Sequence, residues 1–120
     1  MGENNNFFYL KKKNILRRRE DFKQVFSSGR RLESKYFQII YACNNHGSRR
    51  IAVVLGRKFG KATLRNKVRR RIKEAYRLNL LKFPSSTDFI IRPREASKYG
   101  SFYELKDSLL QLIEKCIKQK

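Results

Sequence analysis

The stretch "RNKVRRRIKEAYR" (residues 65–77) puts seven basic side chains into thirteen residues and leaves Val68, Ile72, Ala75 and Tyr76 apolar. With Leu64 before it and Asn79 after it, the spacing i, i+4, i+8, i+11 predicts an amphipathic helix ending near Leu81. On another face Arg65, Arg69, Lys73 and Arg77 recur as one row, with Arg70 beside it and Lys67 and Arg71 on other sides. Like charges at that spacing repel. The row is either a solvated face or a surface built for phosphate.

The rest of the chain supplies the elements around this helix. "REDFKQVFSSG" (19–29) has Phe22, Val25 and Phe26 at helical spacing, acids at its start and Gly29 at its end, and reads as a short helix. Residues 30–34 give a short strand. "YFQIIYAC" (36–43) and "RRIAVVLG" (49–56), separated by "NNHGS", read as a β-hairpin. "DFIIRPR" (88–94) reads as a strand closed by Pro93, and residues 101–120 as a helix. Ser101 and Glu104 form a capping box for that helix, and Leu105, Leu109, Leu112, Ile113, Cys116 and Ile117 form its buried stripe. Residues 1–14 show no period and no cap and are expected to form a flexible arm, leaving 15–120 as a single domain. The fold class is α+β: a small mixed sheet with helices packed on one face and the other face partly open.

A chain of 120 residues holds one core. Nine Phe and six Tyr are enough to build it, so high charge does not mean disorder here. A formal charge of +20 exceeds what solubility needs and points to a polyanionic partner. The longest apolar runs, "IIYAC" and "IAVVL", are five residues each, against about twenty for a membrane span, so no membrane partner is expected. Cys43 and Cys116 lie in apolar patterns and read as core thiols of a cytoplasmic protein.

Catalytic chemistry is thin. His46 is the only histidine and lies in a turn, while the acids Glu20, Asp21, Glu74, Glu104, Asp107 and Glu114 are dispersed. No catalytic or metal-ligating set is assigned to the protein. "GRKFGKAT" imitates a phosphate-binding loop, but only three residues separate Gly56 from Gly60 and Ala62 follows Lys61, so an ATPase is excluded.

The run from Arg50 to Arg77 resembles the segment of the bacterial ribonuclease P protein family that carries its "RNR" signature. Arg65 and Asn66 match its first two positions, Lys67 stands in the third, and Arg69 and Arg70 match the basic pair that follows. The likeness extends to "EDFKQVFSSG", "YFQIIYA" and "DFIIRPR", where Arg94 falls at the family's arginine after the last strand. There are three departures. Gly56, Arg57 and Lys58 stand where the family commonly has "SKK", Ile40 replaces a frequent aromatic, and Arg92 and Pro93 replace apolar residues, which points to an early end of the last strand.

The resemblance implies a four-stranded sheet in the order α-β-β-β-α-β-α, with a left-handed crossover through the basic helix, against the general right-handed preference. It implies a non-catalytic protein subunit of an endoribonuclease that matures tRNA 5′ ends, with the chemistry carried by RNA. The implied partners are the catalytic RNA and precursor tRNA, with no obligate protein partner. No cofactor is expected on the protein alone, and Mg2+ is expected in the holoenzyme. Arg57, Lys58, Lys61, Arg65, Asn66, Lys67, Arg69, Arg70, Lys73 and Arg94 are the expected RNA-binding residues. Phe22 and Phe26, one turn apart on the first helix, are expected to meet the 5′ leader, as are Tyr36, Gln38 and Ile40, because Phe37 matches the family's core aromatic and strand alternation turns its neighbours to the open face. Stacking on bases and plain core packing are both open to Phe22. The alternative reading is a small ribosomal or general RNA-binding protein with no role in cleavage.

Overall fold

The computed structural model describes residues 14–45 and 47–118; the arm up to residue 13 and His46 lie outside the described residues. The elements are helix α1 (Arg19–Ser28), strands β1 (Arg30–Glu33), β2 (Phe37–Cys43) and β3 (Arg50–Val53), helix α2 (Ala62–Leu78), strand β4 (Thr87–Pro93) and helix α3 (Phe102–Lys118). The sheet order is β1-β2-β4-β3.

That order corrects one expectation. β2 and β3 do not form a hairpin: β4 lies between them, antiparallel to β2 and parallel to β3. The reason is the composition of β4, whose residues Thr87 to Ile91 are all buried. A strand apolar on both faces gains most from a central position. The chain therefore leaves β2 past the start of β4, where the Asn44 amide donates to the Ser86 carbonyl at 2.7 Å. β4 also runs through Arg92 and Pro93, with Phe37 opposite Pro93, so the early end does not occur.

Alternation along the strands divides the core in two. Phe37, Ile39, Tyr41, Phe89 and Ile91 face α2 and α3, meeting Val68, Ile72 and Tyr76 on the first and Leu105, Leu109 and Ile113 on the second. Phe83, between α2 and β4, meets Tyr76 and Phe89 edge-on at centroid distances of 4.6 and 5.5 Å. On the other face Ile40, Ala52 and Ile90 pack with Leu16 and with Val25 and Phe22 of α1. A side chain at Gly29 would place its Cβ 2.2 Å from the Val25 carbonyl oxygen, so only glycine lets the chain leave α1 straight into β1.

The α3 cap is as expected: the Ser101 amide donates to Glu104 Oε1 at 3.0 Å and the Glu104 amide to Ser101 Oγ at 3.1 Å. Two details of the apolar pattern differ. Ile117 is exposed near the end of α3, and Cys43 is exposed at the end of β2, while Cys116 is buried. Asn14, assigned by sequence to the arm, is buried, and its side-chain amide donates to the Arg49 carbonyl at 2.8 Å.

Candidate nucleic-acid interface

α2 leaves the turn at residues 57–61, where Gly60 adopts a φ of 154° that side-chain-bearing residues avoid. Arg57, Lys58 and Lys61 are exposed on this turn. Val68, Ile72, Ala75 and Tyr76 are buried as the periodicity predicts, and the row Arg65, Arg69, Lys73 and Arg77 is half-buried beside them.

The charges in that row are not equivalent. Arg65 donates to the Gly60 carbonyl at 2.7 Å and so holds the turn. Arg69 reaches Asn66 Oδ1 at 3.0 Å, and Arg77 grips Glu74 through two hydrogen bonds at 2.6 and 2.7 Å. Arg71 points elsewhere and donates to the Gly100 carbonyl at 2.7 Å, joining α2 to the start of α3. Lys67, Arg70 and Lys73 make no side-chain hydrogen bond or ion pair among the described residues. Asn66, Arg69, Arg70, Lys73 and Arg77 line one open groove against α3.

The residues expected at the leader separate into three cases. Phe22 and Phe26 lie one turn apart on α1; Phe22 is half-buried against the second core, and Phe26 is 39% exposed. Gln38 sits on the α1 side of the sheet, donating to Glu33 at 3.2 Å. Ile40 is 0% exposed, so it does not line an open face: α1 covers it, which pattern on one strand cannot foresee. Tyr36 does not share the face of Gln38. It precedes β2, packs against the α2–α3 core and donates its hydroxyl to Glu104 Oε2 at 3.0 Å. β2 begins at Phe37, so strand alternation does not govern Tyr36.

Arg94 follows β4 and donates to the Ser34 carbonyl at 3.0 Å, tying the β1–β2 turn to the end of β4 while half of its side chain stays exposed. The register adds two cations that sequence reasoning missed. Arg92 pairs with Gln38 and Arg31 with Ile40, which puts both on the α1 side, and both are exposed. Counting by two from Ile90 finds Arg92.

Sequence reasoning also missed what orients α1. Arg50 donates to both oxygens of Asp88 at 2.7 and 2.8 Å and to Asp21 of α1 at 3.2 Å, and Asn44 donates to Asp88 at 2.7 Å. Hydrogen bonding to Asp88 raises the Arg50 pKa further above its ordinary range. An acid opening an apolar strand in so basic a chain was the signal. Among the described residues no cluster of His, Cys, Asp and Glu could hold a metal ion, and no helix is long and apolar enough to cross a membrane.

Residues 10–117 match the family model described as Ribonuclease P. The chain belongs to the ribonuclease P protein family. It is 43% identical over 110 residues to the ribonuclease P protein component of Petrotoga mobilis, covering 88% of this chain and 93% of that protein. The ribonuclease P protein component of Thermotoga maritima is 35% identical, with 83% and 89% covered. A solved structure of the Thermotoga maritima ribonuclease P protein superposes with a TM-score of 0.77 at 35% identity, covering 83% of this chain and 94% of that one. The ribonuclease P protein is the protein subunit of the tRNA 5′-processing ribonucleoprotein, and a general RNA-binding module is not favoured.

Proposed function

We propose that the chain bridges two RNA elements: the catalytic RNA of ribonuclease P on the α2 side and the 5′ leader of precursor tRNA on the α1 side. The observation that carries this reading is the placement of the basic α2 row and the Phe22–Phe26 pair on opposite faces of one sheet. Arg57, Lys58, Lys61, Asn66, Lys67, Arg69, Arg70 and Lys73 make the first surface, where Arg forks and Lys point charges release counterions from phosphate. Arg65 contributes charge there while holding its turn, and Arg94 contributes charge beside Glu33 at the end of β4. On the second surface Phe26 and the exposed part of Phe22 offer rings to unpaired leader bases, and Gln38, Arg92 and Arg31 offer polar contacts beyond α1.

The chemistry belongs to the RNA, with Mg2+ bound in the holoenzyme. The protein positions the substrate, in the cytoplasm, and residues 15–120 act as one RNA-binding domain. The test is binding of precursor tRNA with leaders of two and eight nucleotides to the holoenzyme. Phe26→Ala should weaken the long-leader substrate alone; equal weakening of both removes Phe26 from the leader surface.

A further inference from the structure

The basic face of α2 does not stand alone. It forms one wall of a groove of about 680 Å³ whose other wall is the first turn of α3, represented by Phe102. Five basic side chains line it against a single carboxylate, Glu74, which Arg77 already engages. Phe102 is half-buried against the main core with part of its ring on the groove, and Tyr103, next to the groove and 69% exposed, meets it edge-on at 5.5 Å and carries Lys106 Nζ 5.6 Å from its centroid. The Arg71 bond to Gly100 and the Ser101–Glu104 cap fix this turn of α3 against α2, so the groove exists before a partner arrives.

A purely solvated charged face needs no aromatic wall. A duplex backbone needs none either, because its bases stack on one another and show no free face. Cations along one side of a groove and rings on the other are the composition that holds unpaired nucleotides, with phosphates on the first and base faces on the second. We propose that the α2–α3 groove binds a short unpaired stretch of RNA, its phosphates on Arg69, Arg70 and Lys73 and its bases stacked on Phe102 and Tyr103. The inference rests on RNA being the partner, and it adds a stacking site on the face of the sheet opposite the Phe22–Phe26 pair.

The probe is an oligouridine octamer carrying 5-iodouridine, irradiated with the full chain, with cross-linked peptides located by mass spectrometry. Cross-links at Phe102 or Tyr103 are expected. Affinity should fall about five- to a hundredfold in Phe102→Leu and Tyr103→Ala combined, and a duplex of the same length should be indifferent to the pair. Tyr103→Ala alone, at an exposed position, keeps the test valid if replacing Phe102 disturbs folding. Absence of cross-links from α3, or duplex and single strand weakened alike, overturns the groove. So does polyglutamate displacing the octamer at equal charge concentration, which would mean a site for acidic protein. Stimulation of precursor-tRNA cleavage by catalytic RNA is measured in parallel. Stimulation without α3 cross-links sinks the groove alone, and α3 cross-links without stimulation sink the bridging role and leave the groove standing.

Discussion

Replacing Asp88 with Ala should cost the fold about 3 kcal/mol, and the structure says why. Arg50 is 13% exposed and Asp88 5%, and two of the three bonds that hold the guanidinium end on Asp88. Breaking a buried pair from one side costs about 3–5 kcal/mol, because the remaining charge loses its partner but not its burial. Asp21 still accepts from Arg50 at 3.2 Å and Asn44 still donates to the Ser48 carbonyl at 3.1 Å, which puts the effect at the low end. For a domain of this size that corresponds to a fall in Tm of roughly 10–15 °C. Urea and thermal unfolding followed by circular dichroism measure it, and hydrogen exchange should rise across α1, whose Asp21 is tied to the same arginine. The double variant Arg50→Met/Asp88→Leu should recover part of the loss, since an apolar pair strands no charge at either position, while Asp21, 20% exposed, loses its arginine. A loss below about 1 kcal/mol for Asp88→Ala, or a double variant no better than the single, would refute the reasoning.

Replacing Arg69, Arg70 and Lys73 together with Ala should flatten the log–log salt dependence of RNA binding by about 2, at roughly 0.7–0.9 per phosphate contact; an unchanged slope makes the row solvated. Phe22→Ala should lower Tm, because its ring packs on the Val25–Ile40 cluster, whereas Phe26→Ala should leave the melt unchanged and cost about 1–3 kcal/mol in long-leader binding. Glu104 is held below its ordinary 4.5 by the Ser101 amide and then by the Tyr36 hydroxyl. A depressed carboxyl stabilises the fold above its ordinary pKa and loses that contribution as pH falls through the lowered value. The Tm of the parent should therefore drop more on acidification than that of Glu104→Gln, and parallel curves would contradict the cap.

What was legible in the sequence was local. The buried positions of α2, the Ser101–Glu104 cap and the bounds of α1 follow from periods and caps within one segment. Strand order was not, because adjacency in sequence suggested a β2–β3 hairpin, while β4, buried from Thr87 to Ile91, competed for the centre and won. The same non-local competition decided the site. Ile40 was assigned to an open face because nothing within β2 reveals that α1 lies over it, and Tyr36 because the strand starts one residue later. Arg50 has no role that the sequence around it reveals, because its partners Asp88 and Asp21 lie far away in the chain. In a chain of +20, a cation is best judged by whether an acid has already claimed it.

The claim that the chain serves an RNA catalyst, and carries no hydrolytic chemistry itself, is tested most directly by cleavage of precursor tRNA at low Mg2+ with catalytic RNA alone, protein alone and both together. The account predicts no product from RNA-free protein, little from RNA alone under those conditions, and efficient 5′ maturation from the pair. Cleavage by purified protein that disappears on replacing one of its acidic residues, or a rate with both components no higher than with RNA alone, would contradict it.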